Sequence, residues 1–477
     1  MSLLWTSAEM VEAMDGRPVG AMPAGVTGIS IDSRTLKKGE AFFAIRGEQF
    51  DGHDFASAAM ASGASLLVVA DAKLPALGTL QVPMIVVDDV LAALERLGAA
   101  SRARTSAKIV AITGSAGKTT TKEALRHVLA TAGKVHASDA SFNNHWGVPL
   151  MLARMPADTE FGIFEIGMNH AGEIRPLTKL VRPNVAIITL VAPAHLGNFR
   201  NVAEIARAKA EIFEGVEPGG TALINRDDRR YKMLERLARD AGVEHVASFG
   251  ESRLATYRLL KCRLHPECSC ITANIGEDEV AAKIGIPGRH IVQNVLAVLG
   301  TAHLVGADLA KAALSLATLA AANGRGRRMT LGLPTGRLLL IDESYNANPA
   351  SMRAALDLLS SARPGERGRR IAVLGDMLEL GAHSARLHCE LAAPLSRAAP
   401  DLVFLAGKEM AALERALKVE FHVEYRQTVA ELLPLLMKSV RGGDVVMVKS
   451  SNGVGFSKIV TALAEQFPPL RRSDQAA

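Results

Sequence analysis

The chain has 477 residues, enough for two to four domains that each bury their own core. Its 48% hydrophobic, 22% charged and 4% aromatic residues are those of a globular protein and exclude disordered and fibrous classes. The formal net charge of +6 is small for this length and spread along the chain, which points to anionic small substrates rather than nucleic acid.

No apolar run reaches the roughly 20 residues that cross a bilayer, and Met1 to Met10 lack the basic start and apolar core of a secretion signal. We therefore expect a cytoplasmic protein without membrane insertion. Four cysteines are too few for a disulfide framework. Cys262, Cys268 and Cys270 gather around His265, but their spacing matches no common zinc pattern and the stretch reads as a short β-rich excursion.

Short strand-like stretches open the chain (Ala41 to Ile45, Leu66 to Val69) and predict a small α/β module over residues 1–84. A second zone, 85–324, begins with the apolar strand Ile109 to Ile112, a Gly-rich turn and a helix-like run from Lys118 to Ala130. Strands recur at Gly162 to Ile166, Val185 to Leu190 and Thr221 to Ile224, which predicts a mostly parallel sheet covered by helices. Helical runs follow at Gln293 to Val305 and Leu309 to Ala321, ending near Asn323-Gly324. Beyond this boundary, over 325–477, strands at Arg337 to Ile341, Arg370 to Leu374, Leu402 to Ala406 and Val445 to Val448 again alternate with helices. The fold class is therefore α/β with three domains: a small N-terminal substrate domain, a central P-loop mononucleotide-binding domain and a C-terminal Rossmann-like domain.

The strongest chemical signal is I-V-A-I-T-G-S-A-G-K-T-T-T, Ile109 to Thr121, a Gly-rich turn between strand and helix. Backbone N–H groups of Gly114, Ser115, Ala116, Gly117, Lys118, Thr119 and Thr120 can surround phosphate oxygens. The Lys118 ammonium would face the β/γ-phosphates of ATP, and the Thr119 hydroxyl can ligate Mg²⁺. Ile112 stands where the general pattern has its first glycine, so this is a variant loop with glycines at 114 and 117. Glu165 ends the next apolar strand and offers a hard oxygen to the same cation. His195 follows the strand Val185 to Leu190, where a ligand role and a structural role are evenly balanced.

Taken together, T-G-S-A-G-K-T-T (113–120), N-N-H-W-G-V-P (143–149), Glu165, A-H-L-G (194–197), G-R-H-I-V-Q-N-V-L-A (288–297) and D-E-S-Y-N-A-N-P-A-S-M (342–352) resemble the Mur ligase family. The resemblance spans all three zones. It implies an ATP-dependent ligase that activates the carboxylate of a UDP-N-acetylmuramoyl-tripeptide as an acyl phosphate and joins it to D-alanyl-D-alanine. It further implies two Mg²⁺ ions, with Thr119 serving one and Glu165 and His195 the other, and a monomeric enzyme. Lys209 matches a lysine that family members carboxylate with CO₂, although it also reads as an ordinary helix lysine. Asn294, Arg327, Asp342, Tyr345 and Asn346 match nucleotide-contacting positions. Ser33 and Arg34 resemble residues that hold the UDP end, or else form a polar turn. Asn143 and Asn144 would touch the sugar-peptide portion, the alternative being a helix cap. Near the end the family usually reads K-G-S-R, whereas this chain has Lys449-Ser450-Ser451-Asn452; the lysine of the amine-substrate end is kept and a bidentate arginine is lost. The rival readings are a folate-polyglutamate synthase, which gives no reason for a domain ahead of the phosphate loop, and a nucleotide-driven switch.

Overall fold

Alternation along single strands builds the core. In the strand Lys108–Thr113, Ile109 and Ala111 enter one apolar cluster while Val110 and Ile112 enter another on the opposite face, all of them fully buried. A strand buried on both faces needs helices on both sides, which is the parallel α/β arrangement. The computed structural model describes residues 2–77, 82–138, 142–194, 196–417 and 421–470.

Among the described residues, three large sheets follow one another along the chain. The first has strands β1 (Arg17–Val19), β2 (Gly28–Ser30), β3 (Glu40–Phe43), β4 (Leu66–Ala70) and β5 (Met84–Val87), in the order β1-β5-β4-β3-β2. It is parallel except for β1. Because β5 pairs with β4 through Val87, the first sheet runs past the boundary expected at residue 84. The helix α1 (Val90–Ala103) leads from it into the centre of the molecule.

The central sheet has nine strands: β6 (Lys108–Thr113), β7 (Val135–Ala137), β8 (Phe161–Glu165), β9 (Val185–Ile188), β10 (Thr221–Asn225), β11 (His245–Gly250), β12 (Tyr257–Leu264), β13 (Ser269–Ile275) and β14 (Asp278–Ile284). Their order is β14-β13-β12-β11-β10-β9-β6-β8-β7. Strands β7 to β12 pair in parallel, and only β12-β13-β14 turn antiparallel, so the β-rich excursion around the cysteines is a pair of hairpins extending the sheet. The chain places β7 and β8 on one side of β6, then crosses to put β9 on the other. This reversal opens a crevice at the carboxyl ends of β6, β8 and β9, the place where open α/β sheets bind ligands.

Two helices bracket the crevice: α2 (Lys118–Leu129), entered directly from β6, and α3 (Arg289–Leu304), which packs beside it. Helix α3 starts four residues before the periodic run suggested, at Arg289, just after Gly288, whose φ of 119° lets the chain turn into the helix. The expected helix to Ala321 ends earlier, at Ser315, and tightens into a short 3₁₀ turn, Leu316–Thr318.

The third sheet contains β15 (Arg327–Leu333), β16 (Gly336–Glu343), β17 (Arg370–Gly375), β18 (Leu402–Ala406), β19 (Val423–Arg426) and β20 (Val445–Lys449), in the order β15-β16-β20-β17-β18-β19. All are parallel except β15. Helix α4 (Pro349–Ser361) follows β16 and faces the central crevice. One apolar cluster runs without a break from β6 and β9 into Ile341 of this last sheet, Met352 of α4 and Leu380 of the segment after β17, so the central and C-terminal units share a packed face.

Candidate active site

The phosphate loop is shaped by contacts that only glycine allows. Gly114 has φ 154°, and a Cβ there would lie 1.9 Å from Thr189 Oγ1; Gly117 has φ 86°, and a Cβ there would lie 2.7 Å from Asn294 Oδ1. Thr189 sits just past β9 because the strand stops at Ile188, two residues before the expected Leu190. Its hydroxyl then donates to Ala116 O at 2.6 Å. Ser115 is pinned from the same loop, accepting from Ala192 N at 3.0 Å and donating to Ala192 O at 2.9 Å. Helix α2 begins at Gly117 with no side chain capping its first turn. Those N–H groups, with the positive end of the helix dipole, form an anion site.

Lys118 Nζ donates to Gly114 O at 2.8 Å, which folds the ammonium back over the loop. Burial pushes its pKa down, Glu165 opposes that shift and Arg325 adds to it. An arriving triphosphate would favour the charged form. Beside it, the Thr119 hydroxyl donates to Glu165 Oε2 at 2.7 Å and Asn143 Nδ2 donates to Glu165 Oε1 at 2.8 Å, so both oxygens of a carboxylate only 1% exposed are held in place. This donor set fits Mg²⁺, which takes one or two protein oxygens and completes its shell with water and phosphate. Among the described residues no group of three or more His, Cys, Asp or Glu side chains could hold a metal by itself. His195 lies outside the described residues.

Lys209 is 2% exposed, on the helix Val202–Ala210. Burial drives its pKa well below the ordinary lysine value, and the nearby charge of Lys118 pushes it the same way. Both effects favour the neutral amine over the ammonium.

A cavity of about 350 Å³ joins these groups to the C-terminal unit. Its walls carry Ser115 to Thr120, Asn143, Glu165, Asn294, Tyr345, Asn346 and Lys449 of the expected residues. Lys449 Nζ donates to Glu343 Oε2 at 3.1 Å and to Asn346 O at 3.0 Å, which fixes the loop between β16 and α4.

Other expected residues fall elsewhere. Arg327 is exposed and donates to Asn323 Oδ1 at 2.6 Å; the arginine on the cavity wall is Arg325, whose guanidinium lies 4.2 Å from the Tyr345 ring centre. Asp342 is behind the wall, its oxygens taken by Gly324 N, Ser344 N and the Ser344 hydroxyl. Asn144 Oδ1 accepts from Gly147 N at 2.9 Å, the local bond foreseen as the alternative for this pair, while Asn143 alone reaches Glu165. Ser33 and Arg34 lie in the turn after β2, apart from the cavity lining, with Arg34 doubly bonded to Asp32 and largely exposed.

Sequence reasoning missed Asn348. Its Oδ1 caps α4 by accepting from Ser351 N at 2.9 Å, and its Nδ2 donates to Ser115 O at 3.0 Å, joining the C-terminal unit to the phosphate loop across 233 positions. The N-P-A-S stretch carries a capping signal, which could have located the helix start but not the second bond. Gln293, His290, Thr189 and Asn225 also line the cavity; the first two stand inside G-R-H-I-V-Q-N-V-L-A (288–297), where only Asn294 was singled out, and Thr189 and Asn225 lie outside every motif.

Comparison with known proteins matches three family models in chain order: the Mur ligase family catalytic domain over 25–102, the Mur ligase middle domain over 112–302 and the Mur ligase glutamate ligase domain over 327–452. The UDP-N-acetylmuramoyl-tripeptide–D-alanyl-D-alanine ligase of Rickettsia prowazekii is 33% identical over 432 residues, 91% of this chain and 94% of the relative. The enzyme of that name from Escherichia coli is 32% identical over 96% of this chain and 98% of its own length. The crystal structure of MurF from Acinetobacter baumannii superposes with a TM-score of 0.83 at 30% identity, covering 97% of this chain and 99% of that one. With relatives matched end to end and all three family models present in order, the chain belongs to the Mur ligase family.

Proposed function

We propose that this protein is the ATP-dependent ligase that adds D-alanyl-D-alanine to a UDP-N-acetylmuramoyl-tripeptide in peptidoglycan precursor synthesis. The observation that carries the reading is the cavity in which the phosphate loop, the Thr119–Glu165–Asn143 cluster and residues of the C-terminal unit share one wall, in a chain whose full-length relatives bear that enzyme's name.

A carboxylate resists attack by an amine because oxide is a poor leaving group, so its oxygen must first become a phosphate. The tripeptide carboxylate attacks the γ-phosphorus of ATP, ADP departs, and the acyl phosphate is taken by the amine of D-alanyl-D-alanine with release of phosphate. The backbone N–H groups at the start of α2 and the Lys118 ammonium accept the charge that spreads over the phosphoryl oxygens. Thr119 would hold one Mg²⁺, and Glu165 with His195 a second, which would neutralise phosphate charge when bound. Carboxylation of the buried amine of Lys209 would add an anionic group beside the same centre. Asn143 orients the Glu165 carboxylate, and Tyr345, Asn346 and Lys449 close the C-terminal wall and keep water from the acyl phosphate. Ser33 and Arg34 take the UDP end, with the Arg34 guanidinium exchanging its exposed Asp32 partner for a phosphate.

No described helix is long and apolar enough to cross a membrane; we take the enzyme to act in the cytoplasm, as a monomer. The test is ADP release from ATP and Mg²⁺. It should require both a UDP-N-acetylmuramoyl-tripeptide and D-alanyl-D-alanine, and ¹⁸O from the tripeptide carboxylate should appear in phosphate. Release that ignores either substrate, or phosphate without label, rejects the proposal.

A further inference from the structure

The cavity is lined by the phosphate loop together with the apolar side chains of Ile291, Ala350 and Ala354 and the Tyr345 ring. Gln293, at the start of the second turn of α3, also lines it. The side-chain amide of Gln293 is fixed in one orientation. Nε2 donates to Glu251 Oε1 at 2.9 Å and to Asp227 Oδ2 at 3.3 Å. Neither carboxylate is free to turn away, since Arg289 Nε donates to Glu251 Oε1 at 2.9 Å and Asp227 accepts from Glu251 N at 2.7 Å and Ser252 N at 3.0 Å. Rotating the amide by half a turn would bring its oxygen against two carboxylate oxygens, so chemistry alone decides which atom is nitrogen.

The opposite atom, Gln293 Oε1, is buried and has no hydrogen-bond partner among the described residues. A buried acceptor without a donor is costly and marks a place where a ligand donor completes the bond. The neighbouring Asn225 is not equivalent, because its Nδ2 donates to Thr189 O and its Oδ1 accepts from Asp227 N. With phosphates on the loop, whose Gly117 lies under Asn294, the helix neighbour of Gln293, a nucleoside base would sit along the wall that Gln293 lines.

We propose that Gln293 is a specificity-determining residue that accepts a hydrogen bond from the exocyclic amino group of adenine, so that the site selects 6-aminopurine triphosphates over 6-oxopurine ones. Guanine and hypoxanthine present an acceptor at that position, which would oppose the Gln293 oxygen and leave two acceptors unpaired. The inference rests on the proposed ATP-dependent ligation and adds the means by which the base is read.

The test measures kcat/KM for ligation with ATP, inosine triphosphate and purine riboside triphosphate, the last lacking any 6-substituent. Wild-type enzyme is expected to prefer ATP over inosine triphosphate by at least about 100-fold, with purine riboside triphosphate between them. In Gln293→Ala the ATP preference over purine riboside triphosphate should vanish and that over inosine triphosphate fall at least about tenfold, mainly through KM. Equal use of ATP and purine riboside triphosphate by wild-type enzyme overturns the inference even if the variant fails to fold, as does a folded Gln293→Ala that keeps the wild-type ratios. Failure of the ligase reading is separate: wild-type enzyme would then form no peptide product with ATP at all.

Discussion

Replacing Asn348 separates the two bonds that one side chain makes. Its Oδ1 caps α4 through Ser351 N, while its Nδ2 reaches Ser115 O in the phosphate loop. Asn348→Ala loses both: about 1 kcal/mol for the cap and about 1 kcal/mol for a buried bond whose acceptor is left without its donor. Asn348→Ser keeps a good capping oxygen but is too short to offer the second donor, so its stability should drop by only a few tenths of a kcal/mol from the cap, plus the lost bridge. If the bridge holds the C-terminal unit over the loop, the Ser variant should raise the KM for ATP about fivefold, the equivalent of roughly 1 kcal/mol at RT of about 0.6 kcal/mol. Steady-state kinetics and thermal unfolding of both variants give the comparison. An Asn348→Ser enzyme with wild-type kinetics, beside an Asn348→Ala enzyme that is merely less stable, would refute the coupling and reduce Asn348 to a helix cap.

Glu165→Gln preserves shape and keeps an acceptor for Asn143, so folding should be little changed while ligation falls at least about 100-fold and the Mg²⁺ requirement rises; near-normal turnover in a Mg²⁺ titration would remove Glu165 from the metal site. Lys209 carries a depressed pKa in the folded state, so between its folded and unfolded values the unfolded chain binds a proton that the native chain does not, and native stability rises with pH through that window. In CO₂-depleted buffer at pH 7, Lys209→Met should therefore melt higher than wild type yet form no product, and bicarbonate should raise the wild-type melting point alone; indifference of wild type to bicarbonate rejects the carboxylation. Burial likewise lowers the pKa of His290, with Glu343 opposing and Lys449 adding to the shift. Stability should thus decline as pH falls through the unfolded histidine value, about 6.5, and His290→Gln should flatten the slope between pH 7 and 5.5 in denaturant titrations. An unchanged slope would show that the ring is protonated without cost.

What could be read from the sequence follows from the range of the interactions involved. Strand β6, the variant phosphate loop and α2 form one contiguous stretch, and apolar alternation, two glycines and a lysine suffice to place it. Glu165 was legible for the same reason, as the polar terminus of an apolar strand. The boundary at residue 84 went astray because M-I-V-V could end one unit or open the next, and only pairing with Leu66–Ala70 decides that it completes the first sheet. The arginine of the cavity wall was placed two residues too late: in G-R-G-R-R the side chains look alike, and the chain's turn at Gly324 and Gly326, with φ of 71° and 90°, directs Arg325 inward and leaves Arg327 on Asn323.

Asn348 and Gln293 expose a deeper limit, because neither residue has its property in isolation. Asn348 becomes a bridge only when Ser115 arrives from another domain, and the Gln293 amide acquires a direction only from carboxylates that follow β10 and β11. The two residues also differ in what a nucleotide would change. Asn348 spends its hydrogen-bonding groups on the protein and can act only through the loop it holds, whereas Gln293 keeps an oxygen in reserve. Loss of Asn348 should therefore weaken every triphosphate to a similar degree, while loss of Gln293 should change only the ranking among bases. Measuring both variants against ATP and inosine triphosphate tests that division: a shifted base ratio in Asn348→Ser would mean that the C-terminal unit, rather than α3, orients the base.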